Sequence, residues 1–502
     1  LKRIRGLLTD YFCDSYNIDD DFEFVIETIN ARELIVPERI DLVAKYKYVE
    51  FYEKGYKVNF IKELYKAHVE AFTMGKYEEP GNKKKNSIDI FFQDFHETIE
   101  SIKSCGFDET ISVIPVGKSN AILDGAHRVA IAAYFNMDIS IIRFEHIGVQ
   151  YDINFFKRRL LDEKYLNYLI TQYTKIKNNV YVACIWPKAS NRESRDLADK
   201  LINKSTKVIS KHNTVLNYQG LKNLMSQIYS HQDWIGTYEN NFKGVDNKAI
   251  KCYEKGAPLL LYTFECESLI KVLELKEKVR DIFKIENHSI HITDNSEESY
   301  QLTSLLLNRN SIEYLNVGQP CKYTSFVTKL KNLKEQLNTF KLDNENLVID
   351  SSSVMALYGL RNAEDIDYLS IDESFNKLNS NVVGNHNEYI KFYGDNLENI
   401  IFDPTNFFIY NDLKFTKLEL VKQFKINRNE NKDKLDIDLI NSITHNERKL
   451  RIVAINIIFK VRLFHRNTSY VFKQIFFKTL KKINCYNFFR SIYRNLKGIR
   501  RE

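Results

Sequence analysis

The spacing of apolar and polar positions predicts an alternation of helices and strands along the chain. Residues 41–72 place apolar side chains three and four apart, the period of a helix with one buried face, and residues 91–104 return to it after a polar loop at 78–85. The period then changes. Residues 111–116 and 119–123 are short apolar runs on either side of Gly117-Lys118, a hairpin signal. An Asp124-Gly125-Ala126 turn leads into a helix over 129–135 and a strand over 139–144. Further on, strands are expected over 180–185, 259–264 and 289–292, with helices over 196–202, 219–229, 268–283 and 297–307. The third stretch predicts strands over 347–349 and 366–371 and helices over 354–360, 414–424 and 432–442. Mixed order of this kind indicates an α/β or α+β fold.

Length and charge divide the chain. At 502 residues it exceeds one ordinary core and suggests roughly three domains. The pattern places them at 1–150, 160–330 and 335–447, followed by a basic amphipathic helical tail over 448–502. That tail holds 15 Lys or Arg against one acid, a net +14, so the rest of a chain that is +7 in total is net −7. The seven cysteines are scattered and form no CxxC pair, which argues against a disulfide framework or zinc ribbon and for a reducing, cytoplasmic setting. No apolar run reaches the about 18 residues needed to cross a bilayer, and the first residues do not read as a signal peptide.

The strongest chemical signal is the segment from Asp350 to Leu369. A strand ends at three serines, a helix begins there, and a second strand carries Asp365-x-Asp367. Two residues apart on a strand, the aspartates project from one face. Paired carboxylates at a sheet edge suit Mg²⁺, which can hold phosphates and activate an attacking oxygen. Hydroxyls and free N–H groups at Ser352 and Ser353 suit a phosphate. The alternative is that the aspartates cap a turn and the serines an ordinary helix.

This segment resembles the polymerase-β-like nucleotidyltransferases, whose pattern is Gly-Ser at a helix start followed by Asp-x-Asp. Ser352-Ser353 stand at the Gly-Ser position, so the glycine is absent. The resemblance implies Asp365 and Asp367 as catalytic metal ligands and a third carboxylate on a later strand, with Asp403 and Asp412 both open. It also implies a phosphate role for Lys432, in a Lys432-Asp433-x-x-Asp436 helix similar to one in some small members of that superfamily.

A second signal is Asp124-Gly125-Ala126-His127-Arg128 before an apolar helix. A tight turn there sets His127, a proton donor or acceptor, and Arg128, a fork for phosphate oxygens, beside free backbone N–H groups. The motif resembles the ParB/sulfiredoxin-like fold. That resemblance implies a nucleotide, ATP or CTP, with its phosphates at Asp124, Gly125 and Arg128 and a catalytic role for His127. Ala126 replaces the sulfiredoxin cysteine, so that reaction is not expected. A kinase of this fold also needs a carboxylate base, for which Glu33, Glu38 and Asp41 are candidates near Arg39 and Lys45.

The middle segment offers His288 and His291, expected on opposite faces of a strand and so not a metal pair, with Asp294 as the cap of the next helix. Trp234, Lys248 and Cys252 lie in a polar-aromatic stretch before them. The tail interleaves aromatic and basic residues, which suits the anionic inner face of a membrane, the preferred reading, and equally a cover over the acidic body or a contact with nucleic acid.

The arrangement resembles fused proteins of surface-polysaccharide biosynthesis. It implies a nucleotide-dependent phosphotransferase or nucleotidyltransferase acting on a sugar, sugar phosphate or glycan. The contrasting expectation is a non-catalytic ParB-type nucleotide switch or DNA-associated protein. A net acidic body argues against duplex DNA as a partner.

Overall fold

A computed structural model describes residues 4–444 except 20, 80, 82–83 and 109–112, so the tail at 448–502 lies outside the described residues. The fold is mixed α/β, with three small sheets among the described residues. Its strands are β1 (Ile26–Asn30), β2 (Ile114–Val116), β3 (Asp138–Arg143), β4 (Val180–Ile185), β5 (Lys207–Thr214), β6 (Leu259–Glu265), β7 (Ile290–Ile292), β8 (Leu347–Ile349), β9 (Ile366–Ser370), β10 (Val383–Asn385), β11 (Phe407–Tyr410) and β12 (Leu413–Thr416). The first sheet has the order β1-β3-β2, the second β5-β6-β4-β7 and the third β10-β9-β8-β12-β11.

The second sheet shows how side-chain period builds the core. β4 is buried along its whole length, so it is a continuous apolar run rather than an alternating one. Val180, Val182 and Cys184 point into the main core, which they share with residues from Ala31 to Leu315. Tyr181, Ala183 and Ile185 point the other way, into a smaller core with the helices Arg192–Ser205 and Leu269–Phe283. Asparagine, abundant here, starts many of the helices. Asn191, Asn217, Asn295, Asn308 and Asn396 each accept a backbone N–H three residues on. The cap before Ser296–Leu306 is therefore Asn295 rather than Asp294, and Asn308 opens the next helix, Arg309–Val317.

Residues up to Val421 form one compact unit and those from Lys422 a second. Within the first, side chains tie distant segments together. Phe402 packs against Phe51 and Tyr56, both at 5.2 Å between ring centroids. Asn59 N donates to Asn399 Oδ1 at 2.7 Å.

Three local expectations are corrected. The run at 119–123 is no strand: Lys118–Asn120 is a 3-10 turn, and only Val116 and Ile122 bridge, because Ser119 and Asn120 turn left-handed. The helix expected over 354–360 begins earlier, at Ser351–Leu357, so all three serines lie inside it. Residues 413–416 are β12, not the start of a helix, because Phe415 pairs with both Phe408 and Ile349; the helix follows as Leu418–Arg428.

Candidate metal centre

The third sheet brings three separated polar residues together. β8 runs antiparallel to β9, with Ile349 opposite Tyr368, so Asp350 emerges beside Asp367 and its N–H donates to the Asp367 carbonyl at 3.0 Å. β10 runs parallel to β9, and the N–H of His386, just past its end, donates to the Tyr368 carbonyl at 2.7 Å. A pair of bonds between Asn387 and Ser370, 3.1 and 2.7 Å, locks the chain after β10 in place. One ligand atom each of Asp350, Asp367 and His386 then lies within 4.8 Å of the others.

Asp350 is fully buried. Its Oδ2 faces His386 Nδ1 at 3.3 Å and accepts from the Tyr393 hydroxyl. Among the described residues nothing donates to its Oδ1, and no Lys or Arg pairs with it. A buried carboxylate oxygen without a partner is costly, so a cation fits here. The neighbouring backbone is also unusual. Ser351 sits at φ 56°, a left-handed conformation disfavoured for a residue with a side chain.

The predicted residues divide. Asp365 is exposed, one residue before β9, and the Ser352 hydroxyl donates to its Oδ1 at 3.5 Å. Ser353 Oγ donates to its carbonyl, also at 3.5 Å. Both serines are buried and bonded to the Asp365 turn. Asp367 is half-buried and belongs to the cluster with Asp350 and His386. Neither candidate third carboxylate joins them. Asp403 accepts from the Thr405 N–H and hydroxyl, and Asp412 pairs with Lys334 at 2.7 Å. Asp350 and His386 were missed. Asp350 stood in the motif, but only sheet pairing reveals that His386 returns to it.

Lys432 belongs to the second unit, where it is exposed and pairs with Glu430 at 3.1 Å. The acids beside it are engaged: Arg428 takes Asp433 at 2.6 Å and Lys425 takes Asp436 at 2.7 Å.

At the Asp124–Arg128 motif, Gly125 adopts φ 80° at the N-cap of the helix Ala126–Tyr134, and Asp124 Oδ1 accepts the Gly125 N–H at 2.7 Å. A side chain on Gly125 would meet Arg128 Nη2 at 2.8 Å, so the guanidinium lies over the turn. His127 Nε2 meets the Tyr65 hydroxyl at 2.9 Å. Burial, then Lys45 and Lys85, push its pKa well below the ordinary value. His127 is thus neutral, a proton acceptor or donor rather than a charge for a phosphate.

Among the candidate bases, Asp41 is locked in a buried triad with Arg39 and Lys45, at 2.9 and 2.8 Å. Burial alone would raise its pKa, but the two cations hold it far below the carboxylate range. Such a group does not take up a proton. Glu38 pairs with Lys207 at 2.6 Å. Glu33 lines a charged cleft of about 470 Å³ with Arg143, Glu145, Lys177, Lys207 and Glu265.

In the middle segment, His288 lies in a 3-10 turn before β7 and approaches Cys252 Sγ at 3.8 Å. Burial pushes that thiol up to about 11, which removes it as a thiolate nucleophile. His291 meets the Tyr229 hydroxyl at 3.3 Å, and Lys248 lies over the Tyr229 and Trp234 rings at 5.5 and 6.0 Å.

No family model, curated protein or solved structure matches the chain. Among the described residues, no helix is long and apolar enough to cross a membrane.

Proposed function

We propose that this chain is a metal-dependent phosphotransferase or nucleotidyltransferase with its reaction centre at the β8–β9–β10 edge. The observation that carries this reading is the convergence of Asp367 with buried Asp350 and His386. A divalent ion held there would draw in the phosphates of ATP or CTP and neutralise charge in the transition state. Asp365, exposed beside Ser352 and Ser353, is positioned by them to meet the incoming acceptor or phosphate. The acceptor is a hydroxyl of a sugar, sugar phosphate or glycan. Its oxygen bonds to phosphorus, the bond to the departing nucleoside diphosphate (phosphoryl transfer) or pyrophosphate (nucleotidyl transfer) breaks, and the hydroxyl proton leaves to solvent or a nearby base.

The Asp124–Arg128 turn is proposed as a second phosphate site. Its support is the close approach of Arg128 to a glycine N-cap on a nine-residue helix. The tail at 448–502 is proposed to hold the protein against an anionic cytoplasmic membrane face, on the strength of its 15 basic residues and single acid.

A nucleotide panel with mass spectrometry of products from a sugar mixture tests the reading. The expected result is divalent-dependent consumption of ATP or CTP, with phosphoryl or nucleotidyl mass added to a sugar, lost in Asp367→Asn. Consumption that ignores chelator, or none with any nucleotide, overturns it. In that case salt-sensitive binding to duplex DNA would favour a DNA-associated ParB-type role.

A further inference from the structure

We infer that the ion at this edge is held by Asp350, Asp367 and His386, with an imidazole nitrogen as a direct ligand, and that the site binds a first-row transition ion, Mn²⁺ among them, in preference to Mg²⁺. The inference shares its location with the proposed reaction centre but not its dependence on any reaction.

Asp350 stands at the N-cap of Ser351–Leu357, where an aspartate ordinarily accepts backbone N–H groups. Asp152, Asp162, Asp343 and Asp372 do so at their helix starts. Asp350 makes no side-chain cap bond. Its carboxylate turns instead toward His386 and Asp367, at 0% exposure. Tyr393 and His386 both serve Oδ2, and Oδ1 is left with nothing. A purely structural Asp–His–Tyr network would leave that oxygen orphaned, whereas a bound cation satisfies it.

Mg²⁺ prefers oxygen and keeps much of its water, usually taking one or two carboxylates and substrate phosphates. Imidazole nitrogen shifts preference toward softer first-row ions. One histidine with two carboxylates therefore departs from an all-carboxylate Mg²⁺ site. It also removes Asp365 from the ligand set. Asp365 is exposed and held by Ser352, outside the group of three.

The ligands sit at the ends or starts of three adjacent strands, and Asn387–Ser370 bonding fixes the loop that carries His386. Tyr389 packs on the His386 ring at 4.4 Å between centroids. A site with its ligands held by sheet pairing does not need to be assembled by the ion.

The test uses tag-free, full-length protein and Mn²⁺ alone. Binding is followed by the EPR signal of free Mn²⁺, and the bound ion is examined by electron spin echo modulation for directly coupled ¹⁴N. We expect one site with ¹⁴N coupling that equimolar Mg²⁺ does not empty. His386→Gln should abolish the coupling and weaken binding at least about tenfold. Asp367→Asn, at a half-buried position, should weaken it comparably, and Asp365→Asn should not. Bound Mn²⁺ without ¹⁴N coupling, or unchanged affinity in a folded His386→Gln variant, overturns the assignment, as does displacement by equimolar Mg²⁺. If nucleotide consumption persists in that case, the transfer reading stands and the ligand assignment alone falls. Nitrogen-coordinated Mn²⁺ with no nucleotide consumed sinks the transfer reading and leaves the metal site.

Discussion

The Nε2 atom of His127 and the Tyr65 hydroxyl lie 2.9 Å apart, and the same imidazole meets the edge of Phe95 at 4.5 Å between ring centroids. That environment keeps the ring neutral, and it is not alone. Burial with Lys45 lowers His68 to about 3, and burial with Lys276 and Lys248 lowers His291 to about 3.

These three histidines set an acid limit on stability. Below pH about 6.5 the unfolded chain protonates them while the folded chain resists, so the unfolded state binds more protons. Stability is complete above that pH and falls as pH drops toward 3. The slope is about 1.4 kcal/mol per pH unit for each histidine titrating only in the unfolded state. Urea unfolding at pH 7 and pH 5.5 should show the loss, and His68→Leu should reduce the slope by about one proton. An unchanged slope would place His68 outside this account.

Removing Asp41 leaves Arg39 and Lys45 buried without their counter-charge. Asp41→Ala should cost about 3–5 kcal/mol in urea unfolding, the scale for breaking a buried pair. A variant as stable as the wild type would contradict the triad.

Gly125 should not accept a side chain. Its φ of 80° is strained for other residues, and a Cβ would meet Ile114 Cδ1 at 2.6 Å as well as Arg128. Gly125→Ala should lower stability by about 1–2 kcal/mol. Both it and Arg128→Ala should weaken nucleotide binding, the latter by about 1.5–3 kcal/mol. Fluorescent-nucleotide titration checks this, and unaltered affinity in both variants removes the phosphate site.

Asp365 and Asp367 should separate in their effects. Asp365→Asn should retain the ion but lower turnover by roughly 10²–10³, as loss of a group acting on the transition state does. Asp367→Asn should lose both. Parallel Mn²⁺ titration and product assay distinguish them, and identical behaviour would return the pair to a shared role.

Vesicle pelleting tests the tail. Binding to anionic vesicles should fall with salt, since each basic residue contributes at most about 1 kcal/mol within a Debye length. Removing 448–502 should release the protein while sparing nucleotide turnover. A full-length protein that ignores anionic vesicles rules the membrane role out.

Local chemistry was legible where one physical signal dominated. The apolar runs at 180–185 and 347–349 are β4 and β8 with the expected bounds, because a strand buried on both faces needs no alternation. The Asp124-Gly125 turn and the helix after it followed from glycine's access to positive φ. β12 was misread because its burial comes from its neighbours. Lys414 is buried there and donates to the Ile401 carbonyl at 2.7 Å and to the Glu345 carbonyl. Its strand state depends on pairing with β8 and β11, which no local period records.

The sequence by itself determined that Asp367 follows a serine-rich helix start on a strand, since helix and strand periods are local properties of the chain. Only the tertiary structure decided which groups share its site. Asp350 and His386 are 36 residues apart, and their meeting depends on the order β10-β9-β8 and on the burial that leaves Asp350 Oδ1 without a partner. Strand order and desolvation are set by packing of the whole sheet, so it is the fold that brings His386 to the two aspartates.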